Sequence, residues 1–304
     1  MQRRYITCDV FTIRAFGGNP LAVVLDAGGL STAQMQAIAR EFNYSETTFV
    51  LPPADPAHDA QVRIFTVNRE IPFAGHPNVG TAFVLATLAE KPPARLLFEE
   101  KAGLVPVEIM TDQGRVVSTE LTAPQPLKRF SKLSAEQAAA CLSLQASEVK
   151  IDRHAPQIIS VGLSFLAVEL ASREALRRAR PDAAAFAKTF PCDGSDAIYF
   201  YTRDVPAAEK PCDLQARMFF PGLSGLTEDP ATGSATVAAA ALLADLSGDR
   251  DGEFRLRVGQ GVDMGRPSLL LTRVQKANGA IVSAHVGGAC VQMVEGSFRL
   301  EGEG

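Results

Sequence analysis

A short segment occurs twice in this chain, about half its length apart. Residues 76–82 read HPNVGTA and residues 229–235 read DPATGSA, at a constant offset of 153 (229 minus 76). Proline, glycine, a hydroxyl residue and alanine fall in register. A strand-like segment precedes each copy, at residues 62–65 and 216–219, with an offset of 154 (216 minus 62). A period as long as a domain predicts a chain made of two similar halves.

Length and composition agree with two halves. The chain has 304 residues, and domains of roughly 150 residues are the natural expectation for that length. A hydrophobic fraction of 46% allows each half to form its own core. We predict an N-terminal half at 1–123 and a C-terminal half at 127–304, joined by a linker with two prolines. The last C-terminal strand can pack back on the first half in this prediction.

Each half has one segment that is apolar nearly all round, at 77–89 and at 231–246. A helix with this pattern is buried. Strand-like segments precede and follow both helices without the regular alternation of a parallel, doubly wound sheet. We therefore predict an α+β fold in which each half wraps a mostly antiparallel sheet around one central buried helix.

Charge and cysteine content exclude several classes of function. The formal net charge is −4, and no long run of lysine or arginine is present, so neither nucleic acid nor a membrane is an expected partner. The five cysteines form no CxxC pair, which disfavours a zinc site and a disulfide framework. The first residues lead directly into a strand without a signal peptide, and no apolar segment approaches about 18 residues. A cytoplasmic protein without a metal is expected.

Both repeated segments have the composition of a helix start: a polar residue, a proline at the first helical position, and then small residues. Unsatisfied N–H groups and a partial positive charge make such a start a binding site for a carboxylate. His76 and Asp229 occupy matched positions but differ in chemistry. We predict that they face one cleft and serve asymmetric proton chemistry there. The alternatives are a plain N-cap for Asp229 and a structural histidine for His76.

Glu46 is a third candidate, at the end of a turn and before the apolar strand 47–51. Burial of that strand would raise the pKa of Glu46 towards the range of a general acid or base. The alternative is a surface glutamate at a strand edge. Two other catalytic classes are excluded, because the chain has neither the spacing of a phosphate-binding P-loop nor a G-x-S-x-G segment.

Five segments carry a family resemblance: FGGNPLAVV at 16–24, NYSET at 43–47, PFAGHP at 72–77, EDPATGSA at 228–235 and GVDMGRPS at 261–268. In this order they resemble the phenazine-biosynthesis (PhzF-like) isomerase family, whose type enzyme isomerises dihydro-3-hydroxyanthranilate without a cofactor. The resemblance implies the diaminopimelate-epimerase-like fold, with two pseudo-symmetric halves and the active site between them. It also implies a homodimer.

The resemblance assigns roles to the candidate residues. Glu46 matches the acid/base that carries the proton, and His76 and Asp229 match groups that bind and polarise the substrate. Further substrate-binding positions are Gly75, Ser234, Gly233 and Asn19. Related racemases and epimerases use a cysteine at each helix start, and none is adjacent here, so a mechanism with two thiols is unsupported.

The predicted function is a cofactor-independent isomerase that moves a proton on a small, carboxylate-bearing, unsaturated or cyclic substrate. One alternative is a racemase or epimerase on the same fold, which needs a second base facing Glu46. The other is a catalytically silent protein that binds small anions.

Overall fold

The computed structural model describes residues 2–207, 212–222 and 225–300. The chain forms two compact units, one made of Met1–Pro124 with Gly287–Gly304 and the other of Gln125–Val286. The change from the first unit to the second lies between the two prolines of the expected linker. No helix in the described part of the chain is both long and apolar enough to cross a membrane.

The first unit begins with a strand pair and alternates between strands and two helices. Its elements before the linker are β1 (Gln2–Val10), β2 (Asn19–Val24), α1 (Thr32–Phe42), β3 (Glu46–Leu51), β4 (Ala60–Thr66), β5 (Glu70–Ile71), α2 (Gly75–Leu88), β6 (Arg95–Glu100), β7 (Gly103–Asp112) and β8 (Arg115–Thr122). β2 pairs with β3 in parallel and β4 pairs with β6 in parallel, whereas β1–β2, β3–β4, β6–β7 and β7–β8 are antiparallel.

The second unit repeats this order with more helices at its start. Its elements are β9 (Lys128–Lys132), α3 (Ala135–Cys141), β10 (Val149–Lys150), β11 (Gln157–Ser160), β12 (Ser164–Leu170), α4 (Arg173–Arg178), α5 (Ala183–Thr189), β13 (Ile198–Thr202), β14 (Leu214–Gly222), β15 (Gly225–Glu228), α6 (Gly233–Asp245), β16 (Gly252–Gln260), β17 (Ser268–Ala277) and β18 (Ala280–Gly288). Again two parallel pairs, β12–β13 and β14–β16, stand among antiparallel ones.

The last strand, β19 (Cys290–Arg299), runs antiparallel to β1. The chain therefore returns to the first unit, and the second unit ends at Val286 and not at residue 304. In both units the central helix connects two parallel strands, β4 to β6 and β14 to β16. The shared order confirms the predicted α+β fold with two similar units.

The two central helices are buried as predicted. α2 contacts β1, β2, β3, β7, β8 and β19, and α6 contacts β11, β12, β16 and β17. Packing around α2 is close: a Cβ atom on Gly80 would lie 2.6 Å from a methyl group of Leu21 and 3.1 Å from Cys8 Sγ. A side chain at this position would require Leu21 and Val10 to move, because α2 lies directly against β1 and β2.

The peripheral helices begin differently from the central ones. Ser31 caps α1 and Ser134 caps α3, and each forms a reciprocal capping box with a glutamine three residues later. Ser172 and Asp182 cap α4 and α5. Pro181 lies between α4 and α5 and separates them, because proline interrupts a helix. Neither α2 nor α6 has a side-chain cap.

Candidate active site

The first helical residue of α2 is Gly75, and the second is His76. The N-cap is Ala74, which has extended backbone angles and no polar side chain to cap the helix. The prediction that Pro77 is the first helical residue is therefore wrong. Proline is tolerated throughout the first turn, since the N–H groups there have no partner within the helix. The pattern alone could not distinguish these positions.

His76 is held inside the first unit by a side chain of β2. Only 3% of its surface is exposed, and its Nδ1 lies 3.2 Å from Asn19 Nδ2. With the amide in this orientation Asn19 donates, so Nδ1 accepts and the ring proton is on Nε2. Burial lowers the pKa of His76 to about 3. The imidazole is therefore neutral near pH 7, with its N–H directed away from Asn19.

Glu46 lies on the other side of the same imidazole. Its Oε2 is 3.5 Å from His76 Nε2, and 18% of the side chain is exposed. Glu46 is the first residue of β3 and not part of the preceding turn. The parallel register places Glu46 opposite Leu21, two residues after Asn19 in β2. The structure thus brings together Asn19, His76 and Glu46, three residues that the sequence predicted for the site.

The turn before Asn19 requires a glycine at position 18, within the FGGNPLAVV segment. Gly18 has a φ of +62°, and a Cβ atom there would lie 2.2 Å from the carbonyl oxygen of Val10. Only glycine can adopt this conformation so close to β1. Asn19 then pairs with Val10 across the strands and is fully buried. The motif therefore aims the Asn19 amide at His76.

The start of α6 differs from the prediction as well. Thr232 is the N-cap, and Gly233 and Ser234 are the first two helical residues. Asp229 lies three positions earlier, so it is not the N-cap, and Pro230 is not the first helical residue. The backbone N–H of Asp229 donates to the Met218 carbonyl at 3.1 Å, which keeps this segment against β14. Residue 229 is therefore held beside the strand, and α6 begins only at Gly233.

Asp229 is buried and accepts a hydrogen bond from its own loop. Its side chain is 5% exposed, and Thr232 Oγ1 donates to Asp229 Oδ2 at 2.6 Å. A threonine at an N-cap ordinarily accepts from the first turn of the helix. Because this hydroxyl group is directed to Asp229, it does not cap α6.

Gln260 organises this loop and was missed by the sequence analysis. It is fully buried; its Nε2 donates to the Asp229 carbonyl at 2.9 Å and to Thr232 Oγ1 at 3.0 Å, and its Oε1 accepts from the Thr232 N–H at 3.0 Å. The one signal in the sequence is its place directly before the motif at 261–268. Such long-range hydrogen bonds leave no local pattern.

The same motif supports Pro230. Gly261 has a φ of +72°, and a Cβ atom there would lie 2.6 Å from the Pro230 carbonyl oxygen. The Ser268 hydroxyl donates to that oxygen at 3.2 Å. The motif at 261–268 therefore acts as a support for the loop that carries Asp229.

The predicted site residues fall into one group in each unit. Asn19, Glu46, Gly75 and His76 belong to the first unit, and Asp229, Gly233 and Ser234 belong to the second. That His76 and Asp229 face one cleft stays a prediction. Among the described residues no cluster of histidine, cysteine and acidic side chains could hold a metal ion. All five cysteines are free, and none lies at the start of α2 or α6.

Comparison with known proteins gives the family. The chain is 39% identical over 302 residues to an uncharacterized isomerase of Mesorhizobium japonicum, covering 98% of this chain and 99% of the relative. It is 36% identical over 301 residues to the trans-2,3-dihydro-3-hydroxyanthranilate isomerase of Pseudomonas aeruginosa, with the same coverage. The crystal structure of a Bacillus anthracis phenazine biosynthesis protein of the PhzF family superposes with a TM-score of 0.84 at 26% identity, covering 99% of this chain and 100% of that one.

The family model for phenazine biosynthesis-like proteins matches residues 8–296, nearly the whole chain. The matched region contains both central helices and every residue predicted for the site. The chain therefore belongs to the phenazine biosynthesis-like (PhzC-PhzF) family.

Proposed function

We propose that this protein is a cofactor-independent isomerase that moves a proton within a small carboxylate-bearing substrate, unsaturated or cyclic. The observation that carries the proposal is the contact between Glu46 and the neutral His76 in the first unit. Relatives named as isomerases over almost the full length support the same class of reaction. The structure offers a carboxylate, partly open to solvent, beside an uncharged hydrogen-bond donor.

In this proposal Glu46 removes a proton from one carbon of the substrate and returns it to another. His76 holds Glu46 in place through Nε2–H. A neutral imidazole suits this role, because an imidazolium would form an ion pair with the carboxylate and lower its basicity. The 3.5 Å separation is long for a hydrogen bond, and such contacts commonly shorten when substrate binds. A positioned acid/base contributes about 100- to 10,000-fold to rate.

The two central helix starts are the proposed anchors of the substrate. Gly75 opens α2, and Gly233 and Ser234 open α6; neither helix has a side-chain cap. Backbone N–H groups at a helix start favour a carboxylate. Asp229 is proposed to orient the substrate by accepting from its amino or hydroxyl group, while Thr232 holds the Asp229 carboxylate.

Solvent deuterium incorporation tests the proposal. Trans-2,3-dihydro-3-hydroxyanthranilate is the first probe, because the Pseudomonas aeruginosa relative is named for it. A panel of other cyclic and unsaturated amino and hydroxy acids follows, each observed by NMR in D₂O. We expect the wild type to exchange a carbon-bound proton of at least one compound. A product with inverted configuration at the exchanging carbon would instead favour the racemase alternative.

Glu46→Gln keeps the size of the side chain but cannot accept the proton. We expect exchange to fall by about 100-fold or more while calorimetric affinity stays close to that of the wild type. Glu41→Gln, on the exposed face of α1, is the matched control and should exchange normally. Exchange at the wild-type rate in Glu46→Gln would assign the base to another residue.

A further inference from the structure

A cavity in the second unit lies apart from the residues of the proposed reaction. Its volume of about 350 Å³ is at the lower end of the range of small-molecule sites. It is lined by the segment between β10 and β11, the residue after β13, the C-terminal end of α6 and one residue of β16. These residues are Asp152, Arg153, Arg203, Leu243, Leu246, Ser247 and Phe254, all within the second unit. The 13 residues of α6 span about 20 Å, so the cavity lies at the opposite end of this helix from Gly233.

Two arginines line this cavity without a hydrogen-bond acceptor for their side chains among the described residues. Arg153 has no ion pair there, and the contact of Arg203 is with Glu169, whose Oε1 lies 3.5 Å from Arg203 Nε. That Nε is buried and forms no hydrogen bond with a described residue. Because a guanidinium group carries five N–H donors, the terminal nitrogens of Arg203 are left for another acceptor. Two such groups at one cavity indicate a ligand with an anionic group, since arginine binds carboxylates and phosphates through paired hydrogen bonds.

Other charged groups at this end of α6 are bound to protein partners. Asp245 accepts from Arg129 at 3.0 Å, and Lys276 Nζ donates to the Ala244 carbonyl at 2.8 Å. Asp152 differs from them, because it lines the cavity with both arginines and forms an ion pair with neither within the described chain. The cavity therefore presents two positive side chains and one negative side chain that do not pair with one another.

The remaining wall of the cavity is apolar and adjoins the C-terminal end of a helix. Leu243 is buried, Phe254 is partly buried, and Leu246 is 38% exposed. A leucine that is open to solvent in a cavity wall favours an apolar group that covers it. The partial negative charge of a helix C-terminus favours a cation and disfavours an isolated anion. The ligand that fits best carries a positive group and an apolar group in addition to its anionic group.

We propose that this cavity binds an α-amino acid with an apolar side chain, such as leucine or phenylalanine. The carboxylate accepts from the guanidinium groups of Arg153 and Arg203, the ammonium group donates to Asp152, and the side chain packs against Leu246 and Phe254. Inorganic phosphate matches the cavity less well, because its charge would lie beside Asp152 and the helix end while the apolar wall stayed uncovered. Binding here is independent of the proposed isomerase reaction, since none of the residues proposed for that reaction lines the cavity.

Methyl NMR of the full chain with ¹³C-labelled leucine locates the bound amino acid. L-Phenylalanine is titrated to about 10 mM, a range that detects millimolar affinity. We expect the methyl signals of Leu243 and Leu246, assigned with Leu243→Ile and Leu246→Ile, to shift along one saturating curve. Leu21 of β2, in the first unit, is the control signal and should not shift. Unchanged signals of Leu243 and Leu246, with or without a shift of Leu21, would overturn the proposal.

Analogues of phenylalanine test the two charged ends of the ligand. Phenylpropionate lacks the ammonium group, and phenethylamine lacks the carboxylate. Each should bind at least about 10-fold more weakly than L-phenylalanine, because it loses one charge-assisted interaction. Sodium phosphate, at matched ionic strength, is the probe for a site that accepts any anion. Binding of phosphate as tight as that of L-phenylalanine would overturn the assignment to an amino acid.

Substitutions at the two exposed charged residues complete the test. Arg153→Gln should lower the affinity for L-phenylalanine by about 10-fold or more, because the carboxylate loses a charged donor. The urea midpoint should not change, since the Arg153 side chain is exposed and has no partner among the described residues. Arg115→Gln, at the exposed start of β8, is the matched control and should bind normally. Asp152→Asn should abolish the preference for L-phenylalanine over phenylpropionate. Unchanged affinity in Arg153→Gln, or an unchanged preference in Asp152→Asn, would contradict the proposal.

Discussion

The starts of the two central helices are built to one plan but carry their ionisable groups at different places. In the first unit Arg63 binds Glu70 through two nitrogens, and α2 begins five residues later at Gly75 (75 minus 70). In the second unit Arg217 binds Glu228 in the same way, and α6 begins five residues later at Gly233 (233 minus 228). The structural offset of the helix starts is therefore 158 (233 minus 75), not the 153 of the sequence repeat.

The two offsets differ because the arginine and the glutamate are separated by different numbers of residues in the two units. They are 7 residues apart in the first unit and 11 apart in the second, where β14 and β15 form a longer hairpin. In the structural register His76 corresponds to Ser234, and Asp229 corresponds to Ile71. Each unit has thus placed one ionisable group where the other has none. The two helix starts therefore differ in the position of their ionisable groups as well as in residue type.

The two arginine–glutamate pairs provide the largest expected effect. Arg217 is 5% exposed, stacks on Phe219 and also donates to the carbonyl groups of Leu176 and Ala179. Arg217→Met leaves these acceptors and Glu228 without their donor, so we expect a loss of about 3–5 kcal/mol in the free energy of unfolding.

Arg63→Met is the matched variant in the first unit. Arg63 is more exposed, and Glu70 keeps Lys101 as a partner, so the loss should be about 1 kcal/mol. Urea unfolding at pH 7 measures both variants. Equal losses would show that the two pairs are equivalent and that the greater burial of Arg217 has no energetic consequence.

Asp229→Asn tests whether the residue without a counterpart serves the reaction. The substitution keeps the shape of the side chain and a hydrogen bond to Thr232 but removes the charge. We expect kcat/KM for exchange to fall by about 100-fold, equal to about 2.7 kcal/mol, with weaker calorimetric binding as well. Asp245→Asn, at the exposed end of the same helix α6, is the control. Normal exchange by Asp229→Asn would leave Asp229 as a structural group of the loop.

The buried imidazole predicts a dependence of stability on pH. The folded-state pKa of His76 is lowered, so its contribution is present above the unfolded value of about 6.5 and is lost as pH falls. Relative to His76→Asn, the wild type should lose about 2 kcal/mol of unfolding free energy between pH 7 and pH 5. Burial raises the pKa of Glu100, so its contribution to stability changes in the opposite direction over this range, and the difference between the two proteins is the informative quantity. Parallel curves would show that His76 titrates normally in the folded protein.

The smallest expected effect concerns a helix that does have a cap. Ser31→Ala removes the capping box of α1 and should cost about 1 kcal/mol in unfolding free energy without changing deuterium exchange. Thr232→Val, at the N-cap of α6, should instead reduce exchange, because it removes the donor to Asp229. A normal exchange rate for Thr232→Val would mean that the uncapped start of α6 has no part in function.

Sequence reasoning was most successful where the pattern extends over many residues. The apolar surfaces of α2 and α6 and the repeated order of elements were both predicted. The helix starts were misplaced because Pro77 and Pro230 are acceptable at several positions near a helix start. The 153-residue offset aligned residues of similar type, but the segments before α2 and α6 differ in length.

Other features depend on contacts between distant segments. Gln260 ends a strand and bonds to residues about 30 positions away, which no local pattern shows. Glu100 lies in a charged stretch with Glu99 and Lys101 that is typical of an exposed strand end. The burial of its two carboxyl oxygens depends on the folded unit around it, which no local pattern shows.

The pairing of β19 with β1 has a consequence for how this chain can be rearranged. Gln2 lies opposite Arg299, so the two ends of the described chain are neighbours in one sheet. A short linker between them, with the chain opened between Pro124 and Gln125, gives a circular permutant. In that permutant the segment after Val286 runs straight into the first strand, and each compact unit becomes one uninterrupted stretch of polypeptide. The interruption of the first unit is therefore a property of chain connectivity and not of the packing within that unit.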